Sequence, residues 1–175
     1  MRSRSKYLNL SNLKAIHAWI KKLEQRKYKP KKSLWEKAHK KLKLPYPIVG
    51  HGKKRLVYDL KNGLVLKVAI SVNGNENNRT EVDLYQNVPS KLKKHLAKVK
   101  EYGHGWLIMK KIEKALPRTK QSVLVVKELQ RKFKKCKIDP VDLISKNKKI
   151  RWNNMGLNKR GKFVILDYGN FIMTR

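Results

Sequence analysis

Apolar residues recur along the chain in two rhythms, and the changeover between them divides it. Leu13, Ile16, Ile20 and Leu23 are spaced by three and four, which places them on one face of a helix predicted over residues 11–25, with lysines over most of the other face. Ser33, with Glu36 three residues later, has the form of a capping box and opens a second helix predicted to about residue 44, where Pro45 and Pro47 stop it. From Ile48 the rhythm is that of strands. Residues 55–60 and 64–70 form a predicted hairpin around Lys61-Asn62-Gly63, because Asn-Gly favours the positive φ angles that a tight turn demands. Residues 80–88 read as a short helix with Val82 and Tyr85 inward and Pro89 closing it, followed by strands at 98–102 and 106–110 that turn at Gly103 and Gly105. Residues 118–134 form a helix with Val126, Leu129 and Phe133 on one core-facing stripe. A last strand pair, 150–157 and 163–166, turns near Arg160-Gly161. There is no internal repeat.

Composition narrows the class. A chain of 175 residues makes one domain or two small lobes and can bury roughly 70% of its extended surface without a disulfide or metal staple. The single cysteine, Cys136, has no partner for an internal bridge, which fits a reducing compartment, with the cytoplasm as the expected location. Residues 1–12 are basic and have no continuous apolar stretch behind them, so neither a secretory signal nor a membrane span is expected.

The formal net charge of +33 is distributed unevenly. Lys and Arg outnumber Asp and Glu by 15 to 2 over residues 1–45, 6 to 4 over 46–90, 16 to 3 over 91–137 and 8 to 3 over 138–175. The nearly neutral stretch therefore behaves as a different structural unit, flanked by basic segments. Either a polyanionic partner or a lysine-rich solvated surface explains such a balance. Trp19, Tyr28 and Trp35 are too scattered to make a base-stacking platform and read as core.

Three short segments carry candidate chemistry. Gly50-His51-Gly52-Lys53-Lys54-Arg55-Leu56-Val57 places two glycines and a valine as in a G-x-G-x-x-G-x-V phosphate-covering loop, with Arg55 at the third glycine. Glycines there let backbone amides approach phosphate oxygens. Lys67, in Val65-Leu66-Lys67-Val68-Ala69, is a lysine inside an apolar strand, and a buried unpaired charge is costly. Glu81 is its natural carboxylate partner and Asp83 the fallback. Finally, Phe163-Val164-Ile165-Leu166-Asp167-Tyr168-Gly169 is an apolar strand that ends in an acid, an aromatic and a glycine.

In that order these segments resemble the protein-kinase-like superfamily over residues 48–170, and most of all its short bacterial and bacteriophage members. The resemblance implies an α+β, protein-kinase-like fold: a basic helical N-terminal extension (1–45), a small antiparallel-sheet N-lobe (46–112) and a truncated helical C-lobe (113–175). It implies ATP and Mg2+ as cofactors, with Gly50, Gly52 and Val57 over the nucleotide, Lys67 and Glu81 positioning phosphates, and Asp167 holding metal. Met109 sits where the family's hinge begins, which puts the backbone of residues 110–112 against adenine.

The catalytic loop has two registers. Asp142 with Asn147 reproduces the D-x-x-x-x-N spacing, with Asp142 as base and Asn147 on metal, but Asn147 then lies 20 residues before Asp167. Asn154 lies 13 residues before Asp167, the usual distance, but leaves Lys149 at the base position. A longer loop that keeps Asp142 as base and brings Asn154 to the metal reconciles the two, and the choice of asparagine stays open. Pro140-Val141 replaces the usual His-Arg, and eight residues after Asp167 leave no sequence for an activation segment or peptide platform. Phosphoryl transfer to serine or threonine of a protein is one expectation. The other is a kinase-like scaffold whose basic helices hold nucleic acid or an acidic protein.

Overall fold

A computed structural model describes residues 4–26, 34–145 and 147–174. The chain forms two compact units, residues 1–79 with 99–111 and residues 80–98 with 112–175.

The first unit is a five-stranded antiparallel sheet with two helices on one face. Strands β1 (Ile48–His51), β2 (Arg55–Asp59), β3 (Leu64–Ala69), β4 (Val99–Gly103) and β5 (Trp106–Lys110) lie in the order β1-β2-β3-β5-β4. Side chains alternate across a strand, so the pairings of Leu56 with Val68, Val68 with Trp106, Tyr58 with Leu66, and Leu66 with Ile108 gather these residues on one face. That face shares a hydrophobic core with Leu13, Ile16, Trp19, Ile20 and Leu23 of helix α1 (Leu10–Arg26) and with Leu34, Ala38 and Leu42 of helix α2 (Leu34–Leu42). The Trp19 indole donates to Ala69 O at 2.9 Å, which satisfies its polar atom inside the core. The described helices α1 and α2 thus complete the sheet's core. The Ser33 capping residue and Tyr28 lie outside the described residues.

Two local expectations are corrected here. In the β2–β3 turn the positive φ angles belong to Lys61 (61°) and Gly63 (76°), with Leu60 N donating to Leu64 O. The Lys61 amide is held by the Asp59 carboxylate at 2.9 Å, which fixes a three-residue loop instead of an Asn-Gly corner. Helix α3 spans Val72–Asn87 and starts eight residues before the predicted 80. Its first turns, rich in asparagine and glycine, have poor intrinsic propensity. They are started instead by Ser71, whose Oγ and carbonyl both accept from the Gly74 amide. A Cβ at Gly74 would stand 2.0 Å from Lys54 O, so only glycine lets the helix lie against that backbone.

In the second unit the last turns of α3 bury Glu81, Val82 and Leu84, with Tyr85 only half-buried. Helix α4 (Ser90–Lys93) follows, and helix α5 (Lys120–Lys135) is capped by Thr119, whose side chain accepts from Ser122 N. Val126, Leu129 and Phe133 face inward from α5 as expected. The strands are short: β6 (Lys114–Ala115), β8 (Met155–Leu157) and β9 (Phe163–Ile165) form one antiparallel sheet, and β7 (Ile138–Asp139) pairs with β10 (Ile172–Met173). Residues 150–154 are not strand: Ile150 bridges Ile144, and Trp152–Asn154 is a 3-10 turn. Phe133 and Phe171 meet edge to face at 5.5 Å, and Tyr168 stands 6.2 Å from Phe171.

Candidate functional site

The first unit lines up its candidates on the sheet face opposite the helical core. Gly50 pairs with Val57, Val57 with Lys67, and Lys67 with Leu107, a single row across four strands. Val65 and Met109 pair one step further along the same face. Lys67 is 4% exposed, which is unusual for lysine. Met109 is buried on β5, and beyond it the Lys111 amide is taken by Gly63 O and the Lys111 ammonium by Asp59 at 3.0 Å.

The glycine segment is the β1–β2 hairpin, closed by Gly52 N donating to Arg55 O. A Cβ at Gly52 would meet nothing within 4 Å, and one at Gly50 would make only ordinary contact with Val57. Neither glycine is demanded by packing. Arg55, at the third glycine position, is buried and turned to helix α3: its Nη1 donates to Asn78 Oδ1 at 3.2 Å, and Asn78 Nδ2 donates to Gly105 O at 3.0 Å.

The second unit gathers the acidic candidates. Glu81 is fully buried, and its carboxylate accepts the Tyr168 amide at 3.1 Å. Asp83, by contrast, is exposed. The Tyr168 hydroxyl donates to Ala97 O at 2.9 Å, so the Asp167-Tyr168-Gly169 turn is held on both sides of its aromatic ring. Asp142 is 7% exposed, and its backbone carbonyl accepts from Asn154 Nδ2 at 3.0 Å. Asn154 O in turn accepts the Leu166 amide, which places Asn154 beside the strand that leads into Asp167. Asn147 stands exposed in a tight excursion closed by Ser145 N to Lys149 O and by the Ile144–Ile150 bridge. The structure thus brings Asp142 and Asn154 together and leaves Asn147 on the excursion.

Asn170 escaped the sequence reading. Its amide nitrogen donates to both Asp142 carboxylate oxygens, at 3.2 and 2.9 Å, and its backbone N–H adds a third bond at 3.2 Å. Burial pushes the Asp142 carboxyl above its ordinary pKa, the Asn170 side chain pulls it back, and the negative charge of Asp167 adds to the rise. No sequence signal marks Asn170 beyond its place after a turn glycine.

Among the described residues, no cluster of three or more His, Cys, Asp or Glu is arranged to hold a metal. Mg2+ bound with a nucleotide asks for less, one or two protein oxygens with phosphates completing the shell, and the Asp167 carboxylate and the Asn154 side-chain oxygen are donors of that chemical type. Also among the described residues, no helix is long and apolar enough to cross a membrane.

Against solved structures, the chain matches WbdD in complex with the kinase inhibitor LY294002 at a TM-score of 0.55 and 15% identity, over 73% of this chain and 33% of that one. The fold is protein-kinase-like. The bifunctional kinase-methyltransferase WbdD matches again at a TM-score of 0.51 and 15% identity, over 70% of this chain and 31% of that one. The Legionella pneumophila kinase Lpg2603 bound to IP6 aligns at a TM-score of 0.47 and 19% identity, over 74% and 51%. The chain spans about a third of the length of the WbdD structures it matches. No protein-family model matches it, and no curated protein matches it in sequence.

Proposed function

We propose that the protein binds ATP with Mg2+ and transfers the γ-phosphate to a serine or threonine hydroxyl of a protein. The observation that carries this reading is the joining of Asp142, Asn154 and the strand into Asp167 by hydrogen bonds, although the residues lie 12 and 13 positions apart in sequence. In this reading the Gly50–Gly52 hairpin offers backbone amides to phosphate oxygens, and Val57 and Met109 give the nucleotide an apolar surface. The Lys67 ammonium attracts the phosphates. Asp167 and Asn154 would hold Mg2+, which when bound would neutralise charge on the phosphates. Asp142 accepts the proton of the attacking hydroxyl as the new P–O bond forms and the bond to ADP breaks. Its raised pKa makes that carboxylate a stronger base.

Equilibrium titration with Mg-ATP tests the binding half. Wild type binds, and Lys67→Ala or Asp167→Ala weakens binding by about tenfold or more, since each removes a charge-assisted contact. Equal binding by all three proteins contradicts the reading.

A second reading is favoured by one surface. Lys120, Leu124, Lys127, Arg131 and Lys135 are exposed along one stripe of α5, with Leu124 60% exposed among the cations. Such a stripe suits the phosphate backbone of a nucleic acid, and contacts of that kind weaken steeply as salt releases its advantage. A Lys127→Glu, Arg131→Glu variant that binds RNA or DNA as well as wild type at low salt excludes it.

A further inference from the structure

The contact between Asn170 and Asp142 carries an inference that rests on the phosphoryl-transfer reading. We propose that Asn170 is a positioning residue that fixes the Asp142 carboxylate in the plane and orientation needed to receive the substrate proton. A carboxylate on a loop can rotate about its last torsion, which is broad and has no sharp minima. Here both oxygens are engaged by a single amide nitrogen, at 3.2 and 2.9 Å, and the neighbouring backbone N–H engages one of them again at 3.2 Å. The rotation is thereby restricted, and of the about four acceptor sites that an ionised carboxylate offers the three bonds from Asn170 leave about one for the substrate proton.

The anchoring point matters as much as the contact. Asn170 lies three residues after Asp167 on the same turn, and that turn is itself held by Glu81 at the Tyr168 amide and by Ala97 at the Tyr168 hydroxyl. Asn154 grips the other side of Asp142 through its backbone carbonyl. The base is thus tied to the metal-side turn by side-chain groups, in a loop where Pro140-Val141 replaces His-Arg and where an excursion closed by Ser145 N to Lys149 O and by the Ile144–Ile150 bridge interrupts the chain between Asp142 and Asn154. Asn170 supplies from the turn an orienting contact that a shorter, more regular loop would build into itself.

The test compares wild type, Asn170→Ala and Asn170→Ser in two assays: equilibrium binding of Mg-ATP and the rate of γ-phosphate transfer to a protein acceptor. Asn170→Ala keeps the backbone bond and loses both amide bonds. Its transfer rate is expected to fall by about tenfold to a hundredfold, the scale of a misplaced reacting group, while Mg-ATP affinity stays within about twofold. Asn170→Ser retains a short hydroxyl donor, and its rate is expected to fall between the two. A rate equal to wild type, or rate and affinity falling together, overturns the positioning role. A wild type that binds Mg-ATP but transfers no phosphate overturns the phosphoryl-transfer reading, and the positioning role with it. A readout free of turnover is the side-chain amide of Asn170 in 15N-asparagine-labelled protein. Asp142→Ala should move its two proton signals and speed their exchange with water, and unchanged signals would show that the contact does not hold the pair.

Discussion

The two units of this molecule are stabilised in different currencies of interaction. In the first, five strands of up to six residues lay a continuous apolar face against α1 and α2, and every residue of β3 is buried. In the second, no strand among the described residues exceeds three residues, and the candidate groups are held by polar contacts that include Glu81 to Tyr168, Tyr168 to Ala97, and Asn154 and Asn170 to Asp142. Apolar burial is shared among many residues and tolerates local loss, whereas a buried polar contact has no substitute when one partner goes. The first unit should therefore lose stability in proportion to volume removed, and the second should respond sharply to small polar changes.

Truncating the core of the first unit gives the largest expected effect. Trp106 is fully buried, and Trp106→Ala is expected to lower unfolding stability by about 3–5 kcal/mol in a denaturant titration. A smaller loss would mean that the sheet core collapses around the hole more easily than its register suggests. Next is Tyr168→Phe, which removes one oxygen from the second unit and leaves Ala97 O without its hydroxyl partner. The expected cost is about 1–2 kcal/mol, large for a single atom, and a change near zero would break the contrast between the units.

The smallest effect is one of pH. Burial holds the His95 imidazole below its ordinary pKa, against the opposing pull of the Phe163 carbonyl. The unfolded chain then takes up the proton first, so this contribution is fully present above about pH 6.5 and is lost as pH falls toward the lower, folded value. Melting temperature should drop over that interval in wild type and drop less in His95→Gln. Identical slopes would contradict the assignment.

Legibility in the sequence follows the same division. Helix α1 and strands β2, β3 and β5 were readable because apolar spacing recorded their burial directly, and the lysine at position 67 stood out against its neighbours. The start of α3 was not readable, because Asn-Gly-Asn-Glu-Asn-Asn argues for a loop, and a serine cap together with a close approach at Gly74 overrides it. The choice between Asn147 and Asn154 stayed open for a geometric reason. Counting residues cannot see the Ile144–Ile150 bridge, beyond which Asn154 reaches back to Asp142 while Asn147 stays exposed on the excursion. Asn170 had no periodicity or motif to announce it; its contact with Asp142 is visible only where a turn and a loop distant in sequence come within hydrogen-bonding distance.

The most direct measurement is transfer of labelled γ-phosphate from ATP, with Mg2+, to the protein itself and to a mixture of protein acceptors, comparing wild type with Asp142→Asn. The expected result is labelling of serine or threonine by wild type and a loss of at least about a hundredfold in the variant, the contribution of a positioned general base. Equal labelling by both proteins, or none by wild type at saturating Mg-ATP, would contradict the account.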